Sequence, residues 1–387
     1  MVAPQPFYED RGTPIALRQV LEALSELEYR VDLLTFPVGQ DIELPGLTIY
    51  RTGNPFGISQ VPIGFSAQKV LLDLSLTAKL ASLLRRERYT CLHALEEAAF
   101  PAAVAGRHHG VPLLYDMQSS LPEQLLRQRA LRLQVARRPL EAIERWLLTR
   151  ADFVVSSAGL ADRVVRMAPI TPVREWRFPS RPVATDPAGA LALRRELGLA
   201  LDERVVLYSG TFEPYQGLPE LITAIPLVLA EAPAARFVLV GGDGTNGFAG
   251  SEAVAPLLAS RVLRIIDRQP RPAMAAYHAL ADVLVSPRAY GGNLPLKVFD
   301  YLAAGRPIVA TDIPTHRTVL AEDRAVLVAP ASGAIAEGIL SLLRDPERAA
   351  RIGRAARRYA REHLAWEAFV SSVEEIYEEV HRHARGR

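Results

Sequence analysis

Ser286-Pro-Arg-Ala-Tyr-Gly-Gly-Asn-Leu-Pro-Leu-Lys-Val-Phe-Asp-Tyr-Leu-Ala-Ala-Gly305 reads as the end of a strand, a glycine-rich turn and the opening of a helix. The strand stops at Ser286, and the helix is expected to open at Pro295, because proline suits a first helical turn. Exposed backbone N–H groups at a helix N-terminus, with glycines that let a ligand approach, make a place for an anion. Arg288 and Lys297 add formal charge that would match a diphosphate. Asp300, three residues beyond Lys297, can accept two hydrogen bonds from a ribose diol. The same residues also fit a solvated turn with a capped helix and a Lys297–Asp300 pair one turn apart. The background gives the segment weight. Lysine occurs only at Lys69, Lys79 and Lys297, and asparagine only at Asn54, Asn246 and Asn293. An Asn and a Lys four residues apart therefore stand out.

Working outward, the segment lies in a run of alternating strands and helices. Strands are expected at Val205–Tyr208, Arg236–Val240, 262–266, Val283–Ser286 and Pro307–Ala310, with helices at 218–231, 272–281 and 295–304 between them. Upstream the same alternation holds: helix 14–27, strand 31–36, helix 67–86, strand 90–93, helix 96–108, strand 112–115, a long helical region 122–150 kinked at Pro139, and strand 153–156. Such alternation implies parallel sheets with crossover helices. Only Val2 and Ala3 precede Pro4, so the first strand is either very short or begins upstream. Prolines at 179, 182 and 187 mark a stiff linker. The expected organisation is an N-terminal Rossmann-like domain over 1–180, a linker over 181–190, a second α/β domain over 191–364 and a final helix in 365–387. Ligands of such sheets bind at the carboxyl ends of the strands.

Composition excludes several classes. Of 387 residues, 49% are apolar and 23% charged, an ordinary globular balance that excludes disorder. Cys91 is the only cysteine, so no intrachain disulfide forms, and a reducing compartment fits. A net charge of +2 argues against nucleic acid as a partner. No run of 18 apolar residues could span a membrane, and the start lacks the pattern of a signal peptide. The expectation is a cytoplasmic protein. No His, Cys and Asp cluster has metal-ligand spacing, so no metal is expected.

The segment Pro295-Leu-Lys-Val-Phe-Asp-Tyr-Leu-Ala-Ala-Gly-Arg-Pro-Ile-Val-Ala-Thr-Asp312 resembles the signature region of retaining GT-B glycosyltransferases of family 4. Leu207-Tyr-Ser-Gly-Thr-Phe-Glu-Pro-Tyr-Gln-Gly217 resembles the first strand and loop of that family's donor domain. Ala279–Pro287 and the tail Ala355–Tyr377 match as well. At the front, Ala3–Pro14, His93-Ala-Leu-Glu-Glu97 and Tyr115-Asp-Met-Gln-Ser-Ser120 resemble acceptor-domain segments. The resemblance spans essentially the whole chain. It implies an α/β GT-B fold of two Rossmann-like parallel-sheet domains facing across a cleft, and transfer of a sugar from a nucleotide-diphosphate sugar to a hydroxyl acceptor, such as a glycan or lipid-linked envelope glycan. It assigns donor binding to Gly210, Thr211, Arg288, Gly291, Gly292, Asn293, Leu294, Pro295, Lys297 and Asp300, and the acceptor side to Arg11, Gly12 and Thr13. Gln118 and His93 take the catalytic places. No cofactor or metal is implied beyond the nucleotide-sugar substrate.

The departures from that pattern are specific. The family usually has two Glu residues eight positions apart; here Asp300 holds the second place and Gly292 the first. Its Arg and Lys for the diphosphate are replaced near Glu213 and at Gln216, a loss that Lys297 and Arg288 would restore. Gln118 stands where a His is usual, and Gln hydrogen-bonds a hydroxyl without taking its proton. His93 reads either as a satisfied structural histidine or as a partner of Gln118. These changes leave an alternative, a relative that binds a nucleotide sugar or a partner without transfer. The arginines and leucines interleaved over 122–150 fit either a packed surface helix or peripheral contact with an anionic membrane. Finally, helix 14–27 has to end before the strand at Val31, which predicts a left-handed residue at Glu28.

Overall fold

The computed structural model describes residues 1–9, 12–54, 57–58, 61, 67–120, 122, 137–157, 159–179, 186–242, 248–290 and 295–385. The chain divides into two compact units, Met1–Phe178 with Glu367–Arg387, and Pro179–Trp366.

In the first unit the order is β1 (Val2–Ala3), α1 (Gly12–Glu26), β2 (Val31–Thr35), β3 (Leu47–Arg51), α2 (Ala67–Arg86), β4 (Leu92–Leu95), α3 (Ala99–His109), β5 (Leu113–Met117), α4 (Arg137–Leu148), β6 (Phe153–Ser156), α5 (Ala161–Met167) and β7 (Val173–Glu175). The strands form one parallel sheet in the order β3-β2-β1-β4-β5-β6-β7. β1 is only two residues long yet holds a central place, pairing Val2 with Leu34 and Ala94, and Ala3 with Thr35. Both its side chains are buried. The chain order reverses between β1 and β4, which makes their carboxyl ends a topological switch point. One face is covered by Leu72, Leu76 and Leu80 of α2, Ala99 and Ala102 of α3 and Leu147 of α4. Leu17 and Leu21 of α1 pack on the other with Phe7, Leu33 and Leu95. α1 ends as its sequence requires: Glu28 has φ 61°, its N–H bonds to Ser25 O, and the Tyr29 N–H reaches back to Leu24 O.

The second unit runs α6 (Pro187–Glu196), β8 (Arg204–Ser209), α7 (Leu218–Glu231), β9 (Ala235–Gly242), α8 (Ala255–Ala259), β10 (Leu263–Asp267), α9 (Met274–Leu280), β11 (Val283–Ser286), α10 (Lys297–Ala304), β12 (Ile308–Thr311), α11 (Pro314–Arg317), β13 (Val326–Val328), α12 (Ser332–Leu343) and α13 (Pro346–His363). Its sheet is parallel, in the order β10-β9-β8-β11-β12-β13, so the switch point lies between β8 and β11. β8, β9 and β11 bury near-continuous Val, Leu and Phe runs, as strands covered on both faces do. The last helix, α14 (Trp366–Arg385), belongs to the first unit. There Phe369 packs on Trp176 and Phe178, and Arg174 pairs with Glu375 and Glu379.

Several expectations need correction. The helix expected from Pro295 starts at Lys297, because residues 295–298 first make a tight turn in which the Val298 N–H bonds to Pro295 O. The expected linker 181–190 ends in helix: Asp186 accepts the Gly189 N–H and Pro187 opens α6. Pro139 lies in the first turn of α4, where its missing N–H breaks no helical bond, so it places no kink inside the described helix. Residues 123–136 of the expected basic helix lie outside the described residues, as do 181–185 of the linker. β3, β7, β13, α5, α11 and α12 were not expected at all.

Candidate functional site

In the second unit the loops that follow β8 and β11 meet at the carboxyl ends of their strands. Gly210 follows β8 with φ 138°, and a Cβ there would lie 2.8 Å from Lys297 Nζ. Gly217, with φ 73°, ends the turn Pro214–Gln216, and a Cβ on it would sit 1.9 Å from Pro287 O. These two glycines are what lets the β8 loop press against Lys297 and the β11 loop. The Ala289 N–H adds a bond to Tyr215 O at 3.1 Å.

Lys297, on the first turn of α10, points its ammonium into this junction. Nζ donates to Gln216 Oε1 at 2.9 Å and lies 3.8 Å from the centroid of the Tyr208 ring. No carboxylate pairs with it among the described residues. Burial, and then the nearby Arg288 guanidinium, push its pKa well below the usual lysine range. Arg288 is itself buried, with Nε donating to Tyr290 O at 2.9 Å and the guanidinium 5.1 Å from the Tyr215 ring centroid. Thr311 Oγ1 donates to Arg288 O at 2.5 Å. Next to it His316 is neutral: its Nδ1–H donates to Thr311 O at 2.7 Å, and its Nε2 faces Ser286 Oγ at 3.0 Å. Burial lowers the His316 pKa to about 4. His316 is thus a buried anchor of the β11 and β12 ends.

Asp300 does not pair with Lys297. It faces Arg271 at 3.5 Å, and burial raises its carboxyl pKa against the pull of that guanidinium. The adjacent Tyr301 hydroxyl accepts the Ser209 N–H at 2.8 Å, tying α10 to the end of β8. Thr211 lies in the same β8 loop, where its carbonyl accepts from the Tyr208 hydroxyl at 2.7 Å. The structure therefore brings Gly210, Arg288 and Lys297 together, with Pro295 and Asp300 on the adjoining turn and helix. Gly291, Gly292, Asn293 and Leu294 lie outside the described residues. Tyr208, Arg271 and Tyr301 were missed: Tyr208 and Tyr301 sit inside an ordinary strand and an ordinary helix, Arg271 lies in a short turn between Pro270 and Pro272, and only the fold shows their partners.

In the first unit, the ends of β4 and β5 carry a buried chain of polar groups. His93 Nδ1 lies 2.6 Å from the Tyr377 hydroxyl of α14, and Nε2 lies 3.4 Å from Asp116 Oδ2. Gln118 Nε2 donates to Asp116 Oδ1 at 2.5 Å, and Ser157 Oγ donates to Gln118 Oε1 at 2.8 Å. Both ring nitrogens of His93 are therefore engaged within the protein, so it has none left for a substrate. Gln118 keeps one N–H and one lone pair. Beside them, Glu96 has φ 48° and accepts from Ser119 Oγ at 2.9 Å; burial, then Glu97, push its carboxyl up to about 8. Glu97 pairs with Lys69. Asp73 rises to about 7 through burial and the same Glu97. Gly12 and Thr13 open α1, and Arg11 lies outside the described residues. Among the described residues no His, Cys, Asp and Glu group could hold a metal ion, and no helix is long and apolar enough to cross a membrane.

Residues 191–359 match the family model for glycosyl transferases group 1, and residues 11–179 match the glycosyl transferase 4-like domain. A D-inositol 3-phosphate glycosyltransferase of Thermobispora bispora is 26% identical over 96% of this chain and 91% of its own length. A phosphatidyl-myo-inositol mannosyltransferase of Mycolicibacterium smegmatis is 27% identical over 47% of each chain. Among solved structures, a sucrose-phosphate synthase from Thermosynechococcus elongatus superposes with a TM-score of 0.77 at 20% identity over 97% of both chains. Anabaena Alr3699/HepE, solved in complex with UDP and glucose, gives 0.76 at 18% identity, again over 97% of both. At such identity the structures speak for the fold alone, which is GT-B.

Proposed function

The chain belongs to the family 4 glycosyltransferases of GT-B fold, and we propose that it is a retaining enzyme moving a sugar from a nucleoside-diphosphate sugar to a hydroxyl of a glycan or lipid-linked envelope acceptor. One observation carries the donor assignment: the buried Lys297 ammonium, with Arg288 nearby, rests on a Gln carbonyl and an aromatic face instead of a carboxylate. Two desolvated cations beside a helix N-terminus form a receptor for a diphosphate. Gly210 and Thr211 line the β8 side of it, and Asp300 takes the ribose after exchanging its Arg271 contact.

In this reading Lys297 and Arg288 act most strongly in the transition state, when the sugar–phosphate bond breaks and charge builds on the leaving diphosphate. The acceptor proton passes to that phosphate, so the protein needs no strong base. Gln118 then serves by orienting a sugar hydroxyl with its remaining amide group. Acceptor binding falls to the first unit, with Gly12 and Thr13 at the opening of α1. The enzyme works on the cytoplasmic side, in peripheral contact with anionic lipid through the basic stretch that includes α4. The solved Anabaena relative supports a UDP-linked donor as the first to test, and the inositol phosphate named for the Thermobispora relative supports a polyol acceptor. The test is release of UDP from UDP-glucose with and without D-inositol 3-phosphate. Release that rises with the polyol supports transfer. Failure of UDP, GDP, ADP and TDP alike to stabilise the protein against heat would contradict the donor site; a ligand at 100 times its Kd should add about 2.7 kcal/mol.

A further inference from the structure

The polar chain in the first unit starts on the last helix of the protein and ends at Gln118. Each of its members has an assigned hydrogen-bond sense. Asp116 is acceptor to both neighbours, so Gln118 Nε2–H points to Oδ1 and the proton facing Oδ2 belongs to His93 Nε2. His93 is buried, and burial lowers its pKa, so the ring is neutral and carries one proton. Nδ1 is then a bare lone pair, and the Tyr377 hydroxyl at 2.6 Å is its donor. At the far end Ser157 donates to Gln118 Oε1 at 2.8 Å, which fixes the orientation of that amide. Without the Tyr377 hydroxyl, Nδ1 is a buried lone pair that has lost its donor, and the ring loses the bond that fixes its orientation from that side. As the ring tilts, the Nε2–H contact to Asp116 at 3.4 Å would loosen, and Gln118 would lose part of its anchor.

We propose that Tyr377 is a positioning residue for sugar transfer: its hydroxyl fixes the orientation of the His93 ring, whose Nε2–H holds Asp116 and through it the amide of Gln118. The proposal rests on the reading of Gln118 as the group that orients a sugar hydroxyl. It gives α14 a task in the first unit beyond the packing of Phe369 and the ion pairs of Arg174, and it explains why a tyrosine hydroxyl is buried against a histidine.

The test uses the full chain labelled with 15N at histidine and glutamine. In the parent, His93 should show a protonated Nε2 and a bare Nδ1, and Gln118 one side-chain proton slow to exchange with water. In Tyr377→Phe, which keeps the ring volume, Nε2 should stay protonated, the bare Nδ1 should shift downfield as it loses its hydrogen bond, and the exchange of the Gln118 proton should quicken about tenfold. UDP release from UDP-glucose in the presence of D-inositol 3-phosphate should fall about fivefold in Tyr377→Phe. It should fall no further when Tyr377→Phe is added to Gln118→Ala, because residues acting through one another are not additive. Should Tyr377→Phe fold poorly, Asp116→Asn breaks the chain in its middle and carries the same expectation for Gln118. Unchanged His93 and Gln118 signals overturn the proposal, as do losses that multiply in the double variant. A parental rate in Gln118→Ala alone overturns the reading of Gln118 first, and the proposal with it.

Discussion

Glu28 is a residue whose backbone could be read before its surroundings were known. The apolar spacing of α1 stops at Leu27, a strand must start at Val31, and the only way to turn so quickly is a left-handed residue, observed with φ 61°. A side chain in that region costs about 1 kcal/mol relative to glycine. Glu28→Gly should therefore raise the stability of the first unit by about 1 kcal/mol, seen as a higher urea midpoint at unchanged slope; a lower midpoint would contradict it. Lys297 shows the opposite limit. Its rarity and its place at a helix opening were visible, but its partner Gln216 lies 81 residues away in sequence, and no local pattern carries that pairing. His278 was invisible altogether: both ring nitrogens are buried without a hydrogen-bond partner among the described residues, with the ring edge-on to Tyr301. Two unsatisfied polar atoms cost about 1–3 kcal/mol each. His278→Phe should thus melt higher than the parent, and an equal or lower melting temperature would show that the nitrogens are satisfied in solution.

The long helices and the buried central strands were legible because their apolar residues follow one period over many positions. α2 and α7 match their expected ranges to the residue. β7 and β13 are three residues each at the sheet edges, too short for a period to show, and β3 is only half-buried. In the second unit the β8 and β11 loops are locked by Gly217, whose absent Cβ makes room for Pro287 O. Gly217→Ala combines that clash with a positive φ, so it should destabilise by at least about 1–2 kcal/mol and weaken UDP binding as the loops separate. Calorimetry finding parental UDP affinity in a folded Gly217→Ala protein would mean that the junction does not shape the donor site. α4 carries Arg137, Arg138 and Arg145 with Ile143 exposed. If the stretch that includes it meets anionic lipid, vesicle binding should weaken steeply with salt, since charges are screened within about 10 Å at 0.1 M; salt-independent binding would rule out the electrostatic contact.

Across the whole molecule, the buried histidines of the second unit and the buried carboxyls of the first act in opposite senses of pH. In the second, His278 and His316 fall from 6.5 to about 4 through burial. The unfolded chain takes up protons that the folded unit refuses, so their contribution is whole above pH 6.5 and is lost as pH falls toward about 4. In the first, Glu96 rises from 4.5 to about 8 and Asp73 from 3.8 to about 7. Their protonated forms belong to the fold, so that contribution is whole at acid pH and is lost as pH rises through about 7 to 8. His93, lowered by burial, adds an acid-side loss to the same unit. Hydrogen exchange followed unit by unit should show acid loosening the second unit first and alkali the first. Glu96→Gln should flatten the alkaline loss; an unchanged pH profile in that variant would mean Glu96 titrates normally.

The central claim is that Lys297 holds the donor diphosphate, and calorimetry of Lys297→Ala with UDP and with uridine tests it most directly. Losing a charged hydrogen bond costs about 1.5–3 kcal/mol, so UDP should bind at least about tenfold more weakly while uridine, which lacks phosphate, keeps its parental affinity. Asp300→Ala supplies the contrast, weakening both ligands alike because both carry the ribose. Lys297→Ala protein that binds UDP as tightly as the parent would contradict the account.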